Sequence, residues 1–120
     1  MLVAFGFFKS ESSQRSSSCI LTAKEFIEFE KSDDIIIDVR TKREFDEGHV
    51  QGAILIDVND SKFKENINDL DKKKKYYVYC RSGSRSSRAI GIMEESGITN
   101  TCNIEGGIRA LEEAGVQLIK

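Results

Sequence analysis

Apolar runs of strand length alternate with short helical segments along most of this chain. Four runs are rich in β-branched or aromatic residues, and we predict strands at 34–39, 53–57, 76–79 and 101–104. A segment with helical signals follows each run. Parallel strands need a crossover connection between them, which is usually a helix. The alternation therefore predicts a single α/β domain, a small parallel sheet with helices on both faces.

Helix start and stop signals support this reading. Residues 22–25 and 41–44 both read Thr-x-x-Glu, the spacing of a capping box. The first helix is expected to run to about Lys31, with an apolar face formed by Phe26, Ile27 and Phe29. The second is expected to be one turn long and to end at Gly48.

Three further helices are predicted between and after the remaining strands. Segment 61–71 places Phe63, Ile67 and Leu70 at helical spacing. Segment 84–96 is expected to turn three apolar side chains inward and to end at a glycine: Ala89, Ile90, Met93 and Gly97. Segment 108–114 is expected to close at Gly115.

Length and charge limit the classes of function. The chain has 120 residues and a net charge of −2, which gives no reason to expect nucleic-acid or membrane binding. No apolar run approaches the roughly 18 residues of a membrane span. Residues 1–18 are apolar and then Ser-rich, and we predict a flexible or weakly ordered lead before a domain at 19–120. The predicted location is cytoplasmic; export is the alternative, if the apolar start acts as a signal.

Three cysteines occur, at positions 19, 80 and 102. The odd count and the absence of metal-type spacing disfavour both a disulfide scaffold and a zinc site. Cys19 and Cys102 are interpreted as small buried apolar side chains in a reducing setting. We expect neither a metal nor an organic cofactor.

Cys80 has different neighbours. It ends the third predicted strand and opens a loop of small and basic residues: Arg81, Ser82, Gly83, Ser84 and Arg85. Ligands of open α/β sheets bind beyond the carboxyl ends of the strands. Amides of such a loop and of the following helix form an anion-binding cup, which favours a reactive thiolate. Arg88 is expected on the solvated face of that helix.

Three segments together resemble a known family. "IIIDVRTKREFDEGHVQGAILI", "VYCRSGSRS" and "IEGGIRALEEAG" are similar to a single-domain rhodanese, a thiosulfate-type sulfurtransferase, and the likeness covers about residues 20–116. The resemblance implies a parallel sheet of about five strands with helices on both sides. It places the persulfide-forming cysteine at Cys80 and the arginine of the active-site loop at Arg85. The glycine pair before the last helix falls on 106 and 107.

The resemblance also assigns supporting positions. The "DVR…E" signature contains Asp38, Arg40 and Glu44, and the "GH…GA" signature contains His49. We interpret the first three as an ion-pair and capping network, and His49 as a structural histidine rather than a general base. Two positions depart from the family: Gln51 replaces a common proline, and Leu111 stands where tryptophan is frequent.

The implied reaction is transfer of a sulfane sulfur through a Cys80 persulfide. The donor would be a small anion such as thiosulfate, and the acceptor cyanide or a small or protein thiol. We expect a monomer. The alternatives are a persulfide relay or a binding module dedicated to one protein partner. Phosphatases and arsenate reductases on this scaffold have a Cys-x5-Arg loop, which the Ser at position 86 disfavours.

Overall fold

The computed structural model describes residues 19–120; the predicted lead at 1–18 lies outside the described residues. Within the described residues there are seven strands: β1 Ile20–Leu21, β2 Ile35–Asp38, β3 His49–Val50, β4 Ile54–Leu55, β5 Tyr76–Tyr79, β6 Thr101–Ile104 and β7 Leu118–Ile119. The same residues form five α-helices: α1 Ala23–Phe29, α2 Lys42–Glu47, α3 Phe63–Ile67, α4 Ser84–Glu95 and α5 Gly107–Glu113.

Five of the strands form one parallel sheet in the order β1-β6-β5-β2-β4. β5 lies at its centre, and all four of its residues are buried. A strand covered on both faces needs apolar side chains at every position, which explains the continuous run Tyr76–Tyr79. The α/β fold with a five-stranded parallel sheet is confirmed.

Helices cover both faces of the sheet. On one face, Val78 and Ile37 pack with Phe63 of α3 and with Ala89 and Met93 of α4. The inward positions predicted for α4 are confirmed. On the opposite face, a second buried cluster joins strand residues to α1 and α5: Tyr77, Ile104, Phe26, Ile108 and Leu111. Each such apolar side chain contributes about 1.5–3 kcal/mol when it is fully buried.

Both predicted capping boxes are present, at Thr22 and at Thr41. The apolar face predicted for α1 is partly wrong. Phe26 is buried, but Ile27 and Phe29 are 47% and 49% exposed. The helix ends at Phe29, before Lys31, and only the narrow stripe of Ala23 and Phe26 faces the sheet. A seven-residue helix at the side of the molecule therefore buries fewer residues than its composition suggests.

Three two-residue strands were not predicted, because two residues carry no periodicity. β1 is the fifth strand of the sheet, beside β6. β3 and β7 form a separate antiparallel pair, with His49 opposite Ile119 and Val50 opposite Leu118. Within residues 19–120, no helix combines the length and the apolar character needed to cross a membrane.

The interpretation of Cys19 and Cys102 as separate buried thiols is wrong. The two cysteines form a disulfide, with Cα atoms 4.7 Å apart. The physical reason is strand register. Ile20 of β1 pairs with Asn103 of β6, so Cys19, one residue earlier, lies beside Cys102. The sequence separation of 83 residues hid this juxtaposition.

Candidate active site

Cys80 follows the last residue of β5, at the carboxyl edge of the sheet. It is the free cysteine of the described region, and its residue is only 1% exposed. The backbone amide of Gly83 donates a hydrogen bond to Sγ at 3.0 Å. The hydroxyl of Ser86 lies 3.4 Å from the same sulfur. The loop therefore curls around the sulfur and returns backbone and side-chain polar groups to it.

Two glycines allow this curl. Gly83 has φ +119° at the N-cap of α4, in the region that favours glycine. Gly107 has φ +60°, and a Cβ there would lie 2.5 Å from the carbonyl oxygens of Cys80 and Arg81. The amide of Ile108 donates to the Cys80 carbonyl at 2.9 Å. The start of α5 thus packs directly on the backbone of the loop.

Competing effects act on the Cys80 thiol. Burial alone would raise its pKa. Hydrogen bonds from the Ser86 hydroxyl and from the amides of Ser86, Gly83 and Ser82 favour the thiolate and outweigh burial, so the pKa is lowered from its ordinary value. Hydrogen bonding is the main cause of the lowering, whereas the sequence pointed equally to arginine charge.

The two arginines of the loop are placed differently. Arg81 is exposed, like Ser82 and Ser84. Arg85 is half-buried and makes a bidentate ion pair with Glu44 on α2, with Nη1 and Nη2 at 2.8 Å and 3.0 Å from the carboxylate oxygens. Arg85 lowers the pKa of Glu44, against the effect of burial, to about 2. This pair ties α4 to the capping box of α2, because Glu44 also accepts from the amide of Thr41.

Asp38 and Arg40 form a second, fully buried ion pair, with Nη2 and Oδ2 2.8 Å apart. Arg40 Nη2 also donates to the Gly48 carbonyl at 2.7 Å. The Tyr79 hydroxyl donates to Asp38 at 2.7 Å and accepts from the Val50 amide at 3.1 Å. Burial, followed by the Asp38 charge, raises the pKa of Tyr79. This network fastens β2, β5 and residues 48–50 to one another.

His49 lies beside α2. Its Nδ1 is 2.8 Å from the carbonyl oxygen of Phe45, and the two rings stack with centroids 3.6 Å apart. Since a carbonyl only accepts, Nδ1 carries the proton. Arg88 is exposed and donates to the Asn59 side chain at 2.6 Å. Of the two sequence departures, Gln51 is exposed and Leu111 is fully buried in the α1–α5 cluster.

Sequence reasoning missed three residues of this region. Ser86 appeared only as a spacing marker, yet its hydroxyl reaches Cys80, Gly83 and Asn103. Asn103 sits inside an unremarkable strand, and Tyr79 read as core. The polar residue in the middle of "TCNI" was the one available signal for Asn103, since a partly buried amide on an interior strand needs hydrogen-bond partners.

Comparison with known proteins agrees with this geometry. The family model described as "Rhodanese-like domain" matches residues 22–114. The chain belongs to this family. The crystal structure of a rhodanese-like domain protein from Staphylococcus aureus is 29% identical, with a TM-score of 0.72, and the match covers 85% of this chain and 99% of that one.

Curated relatives in the rhodanese-like family differ in their names. The putative sulfurtransferase YtwF of Bacillus subtilis (strain 168) is 40% identical over 77 residues, which is 64% of this chain and 72% of that protein. The tRNA uridine(34) hydroxylase of Staphylococcus saprophyticus is 35% identical over 94 residues, 73% of this chain but 29% of that protein. The match covers only 57% of another relative, an uncharacterised protein from the same strain of Bacillus subtilis. The likeness therefore concerns the domain more than any whole protein.

Proposed function

We propose that this rhodanese-like domain is a sulfurtransferase that moves a sulfane sulfur from a small anionic donor, such as thiosulfate, to a thiophilic acceptor. One observation carries the proposal. Cys80 Sγ accepts a hydrogen bond from a loop amide, lies at the carboxyl edge of a parallel sheet, and has a lowered pKa. The thiolate is the nucleophilic form of cysteine, so this loop prepares Cys80 for attack.

The proposed reaction has two displacement steps. The Cys80 thiolate attacks the outer sulfur of thiosulfate, a new S–S bond forms, and the donor's S–S bond breaks with its electron pair leaving on sulfite. Cys80 then carries a persulfide. Cyanide or a thiolate attacks the outer sulfur in the second step, and Cys80 leaves as a thiolate again. The two steps need no external oxidant or reductant. Residues of this chain stabilise the negative charge on the Cys80 sulfur.

The burial of Cys80 favours small donors. With 1% of the residue exposed, the sulfur is accessible to a terminal atom rather than to a broad molecular surface. The rim of the loop consists of exposed Arg81, Ser82 and Ser84. A cationic rim with exposed hydroxyl groups suits a small anion. Cyanide and small thiols meet the same size limit, and a protein thiol would have to insert a flexible tail.

Loop length separates this proposal from phosphatase chemistry. Cys80 to Arg85 is six residues, and Arg85 is already paired with Glu44 rather than turned into an open oxyanion cup. A persulfide relay for one protein partner would use the same Cys80 chemistry. It would differ by slow turnover with thiosulfate and cyanide.

We propose a monomer that needs neither nucleic acid nor membrane.

We also propose a cytoplasmic location, with an exported protein as the alternative. The Cys19–Cys102 disulfide supports the alternative, because such bonds persist mainly in oxidising compartments. Alkylating free thiols at the moment of cell lysis, followed by mass analysis of this chain, decides between the two. Alkylated Cys19 and Cys102 support the cytoplasm, and an intact disulfide supports export.

The test is a transfer assay from thiosulfate to cyanide, read as thiocyanate formed. Wild type should turn over and Cys80→Ser should show none. The matched control is Cys19→Ser/Cys102→Ser, which removes the other two thiols and should retain transfer. No thiocyanate from wild type, together with efficient hydrolysis of an aryl phosphate, would overturn the proposal in favour of a phosphatase.

A further inference from the structure

Asn103 connects the centre of the sheet to the Cys80 loop. It lies on β6 between β1 and β5, opposite Ile20 and Val78. Its neighbour Cys102 faces the α1–α5 cluster, so the Asn103 side chain faces α4. Nδ2 is 3.2 Å from the Gly83 carbonyl, and Oδ1 is 2.7 Å from the Ser86 hydroxyl.

The orientation of this amide follows from its partners. The Gly83 carbonyl can only accept hydrogen bonds, so the Asn103 atom beside it must be the NH₂ group. Oδ1 therefore faces Ser86 and can only accept. The short Oγ–Oδ1 distance then requires the Ser86 hydroxyl to donate to Asn103.

A count of protons gives the same result. The Gly83 carbonyl already accepts from the Ser87 amide at 3.1 Å and from Asn103, which fills its two lone pairs. The Ser86 hydroxyl has one proton. Its oxygen also lies 3.0 Å from the Gly83 carbonyl oxygen, but that oxygen already has two donors, so the acceptors that remain are Asn103 Oδ1 and Cys80 Sγ. Asn103 is much the nearer, at 2.7 Å against 3.4 Å.

The charge on the Cys80 sulfur determines which acceptor receives the Ser86 hydroxyl proton. A neutral thiol has its own proton, which it can donate to the lone pairs of Ser86 Oγ. A thiolate has none, and hydrogen bonds to charged acceptors are stronger than those to neutral ones. Ionisation of Cys80 therefore draws the hydroxyl towards sulfur and leaves Asn103 Oδ1 without its donor.

We propose that Asn103 is a positioning residue that holds the Ser86 hydroxyl proton while Cys80 is a thiol and releases it when Cys80 becomes a thiolate. Asn103 thereby opposes ionisation, and Ser86 favours it. The consequence for catalysis rests on the proposed sulfur transfer, since a thiolate is both the attacking group and the leaving group there. The proton arrangement itself does not depend on that function.

Charged groups lie in the Cys80 loop and on the elements packed against it. Arg81 belongs to the loop, Arg85 comes from α4 with its partner Glu44 from α2, and Asp57 acts on Arg85. None of them is altered by substitutions at 86 or 103. Differences in the ionisation midpoint of Cys80 between such variants therefore report the effects of the Ser86 hydroxyl and the Asn103 amide.

The experiment is a double-mutant cycle on the ionisation of Cys80. The midpoint is measured from the pH dependence of alkylation by iodoacetamide, in Cys19→Ser/Cys102→Ser protein. Ser86→Ala should raise the midpoint by about one unit. Asn103→Ala and the volume-conserving Asn103→Leu should each lower it by about 0.5 to 1 unit, the size expected when an acceptor is no longer left unpaired. In the Ser86→Ala background, the same two substitutions should leave the midpoint unchanged.

Two outcomes would overturn the proposal. A rise on Asn103 substitution that is equal with and without Ser86 would mean that Asn103 only supports the loop through Gly83. An unchanged midpoint in all variants would mean that the hydroxyl does not change partner. Alkylation needs no sulfur donor, so a failure of the proposed sulfur transfer would leave these midpoints readable and would appear separately in the thiocyanate assay.

Discussion

The structure changes the role expected of Arg85 more than that of any other residue in the candidate site. Both of its Nη atoms bind Glu44, and its side chain is 24% exposed. A guanidinium held in this way fixes the distance between α2 and α4. We therefore propose that Arg85 shapes the loop through its ion pair with Glu44 and does not bind the donor directly.

Substitution of either partner tests this role. Arg85→Ala and Glu44→Gln should each lower kcat/KM for thiosulfate by about 10- to 150-fold, the equivalent of one charge-assisted hydrogen bond of about 1.5–3 kcal/mol. The matched control is Lys42→Gln, which breaks an exposed ion pair with Asp46 on the same helix and should change little. Steady-state kinetics measure all three. Near-normal Glu44→Gln beside a strongly impaired Arg85→Ala would assign direct donor binding to Arg85.

Individual site residues differed in how well the sequence revealed them. Cys80 was the clear candidate, because an inert core cysteine would not explain the Gly-Ser-Arg loop that follows it. Ser86 and Asn103 were not evident, since each is an ordinary residue in its own element. Their meeting depends on how α4 lies against β6, which no local pattern encodes. The role of Tyr79 was hidden because tyrosine also suits a buried strand.

At the scale of elements, the start of α5 determines whether the loop can close. Gly107 lies against two loop carbonyls, and the Ile108 amide completes the contact. A glycine pair before a helix looks in sequence like a simple turn. The structure shows that the second glycine is needed for close approach of two backbones as well as for its positive φ.

Gly107→Ala should therefore destabilise the folded protein. Its Cβ would clash with the carbonyls of Cys80 and Arg81, and we expect a loss of about 2–4 kcal/mol of unfolding free energy, from overpacking and positive-φ strain together. Sulfur transfer should fall with the displaced loop. Gly115→Ala is the matched control: its φ is +102°, but nothing lies within 4 Å of the added Cβ. It should cost only about 1–2 kcal/mol and leave transfer intact. Urea unfolding that gives equal losses for both variants would contradict the close-contact argument.

Most elements were predictable because their signals are local. Capping boxes marked α1 and α2, and β-branched or aromatic runs marked β2 and β5. Short elements were lost for the opposite reason. β1, β3 and β7 each owe their existence to a partner strand distant in the chain, and two residues offer no alternation to detect.

Over the whole molecule, the disulfide joins the edge strand β1 to β6 across a separation of 83 residues. Closing a loop of this length in the unfolded chain costs about 4.5 kcal/mol of entropy in the simple polymer model, and measured gains are more often about 2–4 kcal/mol. The bond is on the face of the sheet opposite the Ser86 and Asn103 side chains. Stability and sulfur chemistry should therefore respond to it separately.

Reduction of the disulfide should lower the unfolding free energy by about 2–4 kcal/mol. Urea unfolding with and without a dithiol measures the change. The matched variant Cys19→Ser/Cys102→Ser should be less stable from the outset and insensitive to the dithiol. Wild type that unfolds at the same urea concentration in both conditions would show that the bond contributes nothing to stability.

The strand–helix alternation was sufficient to predict the global architecture. Prediction of the disulfide would have required the strand register as well. Cysteine counting treats positions 19 and 102 as unrelated. Only the parallel pairing of β1 with β6 brings them together, and β1 itself was invisible in the sequence. An error about one two-residue strand thus became an error about a covalent bond.

The central claim is that Cys80 carries the transferred sulfur, and the intact mass of the protein tests it most directly. After incubation with thiosulfate and removal of the donor, wild type should gain the mass of one sulfur atom, and added cyanide should remove that gain. Cys19→Ser/Cys102→Ser should behave in the same way, and Cys80→Ser should show no gain. A sulfur adduct that persists in Cys80→Ser, or wild type that never acquires one, would contradict the account.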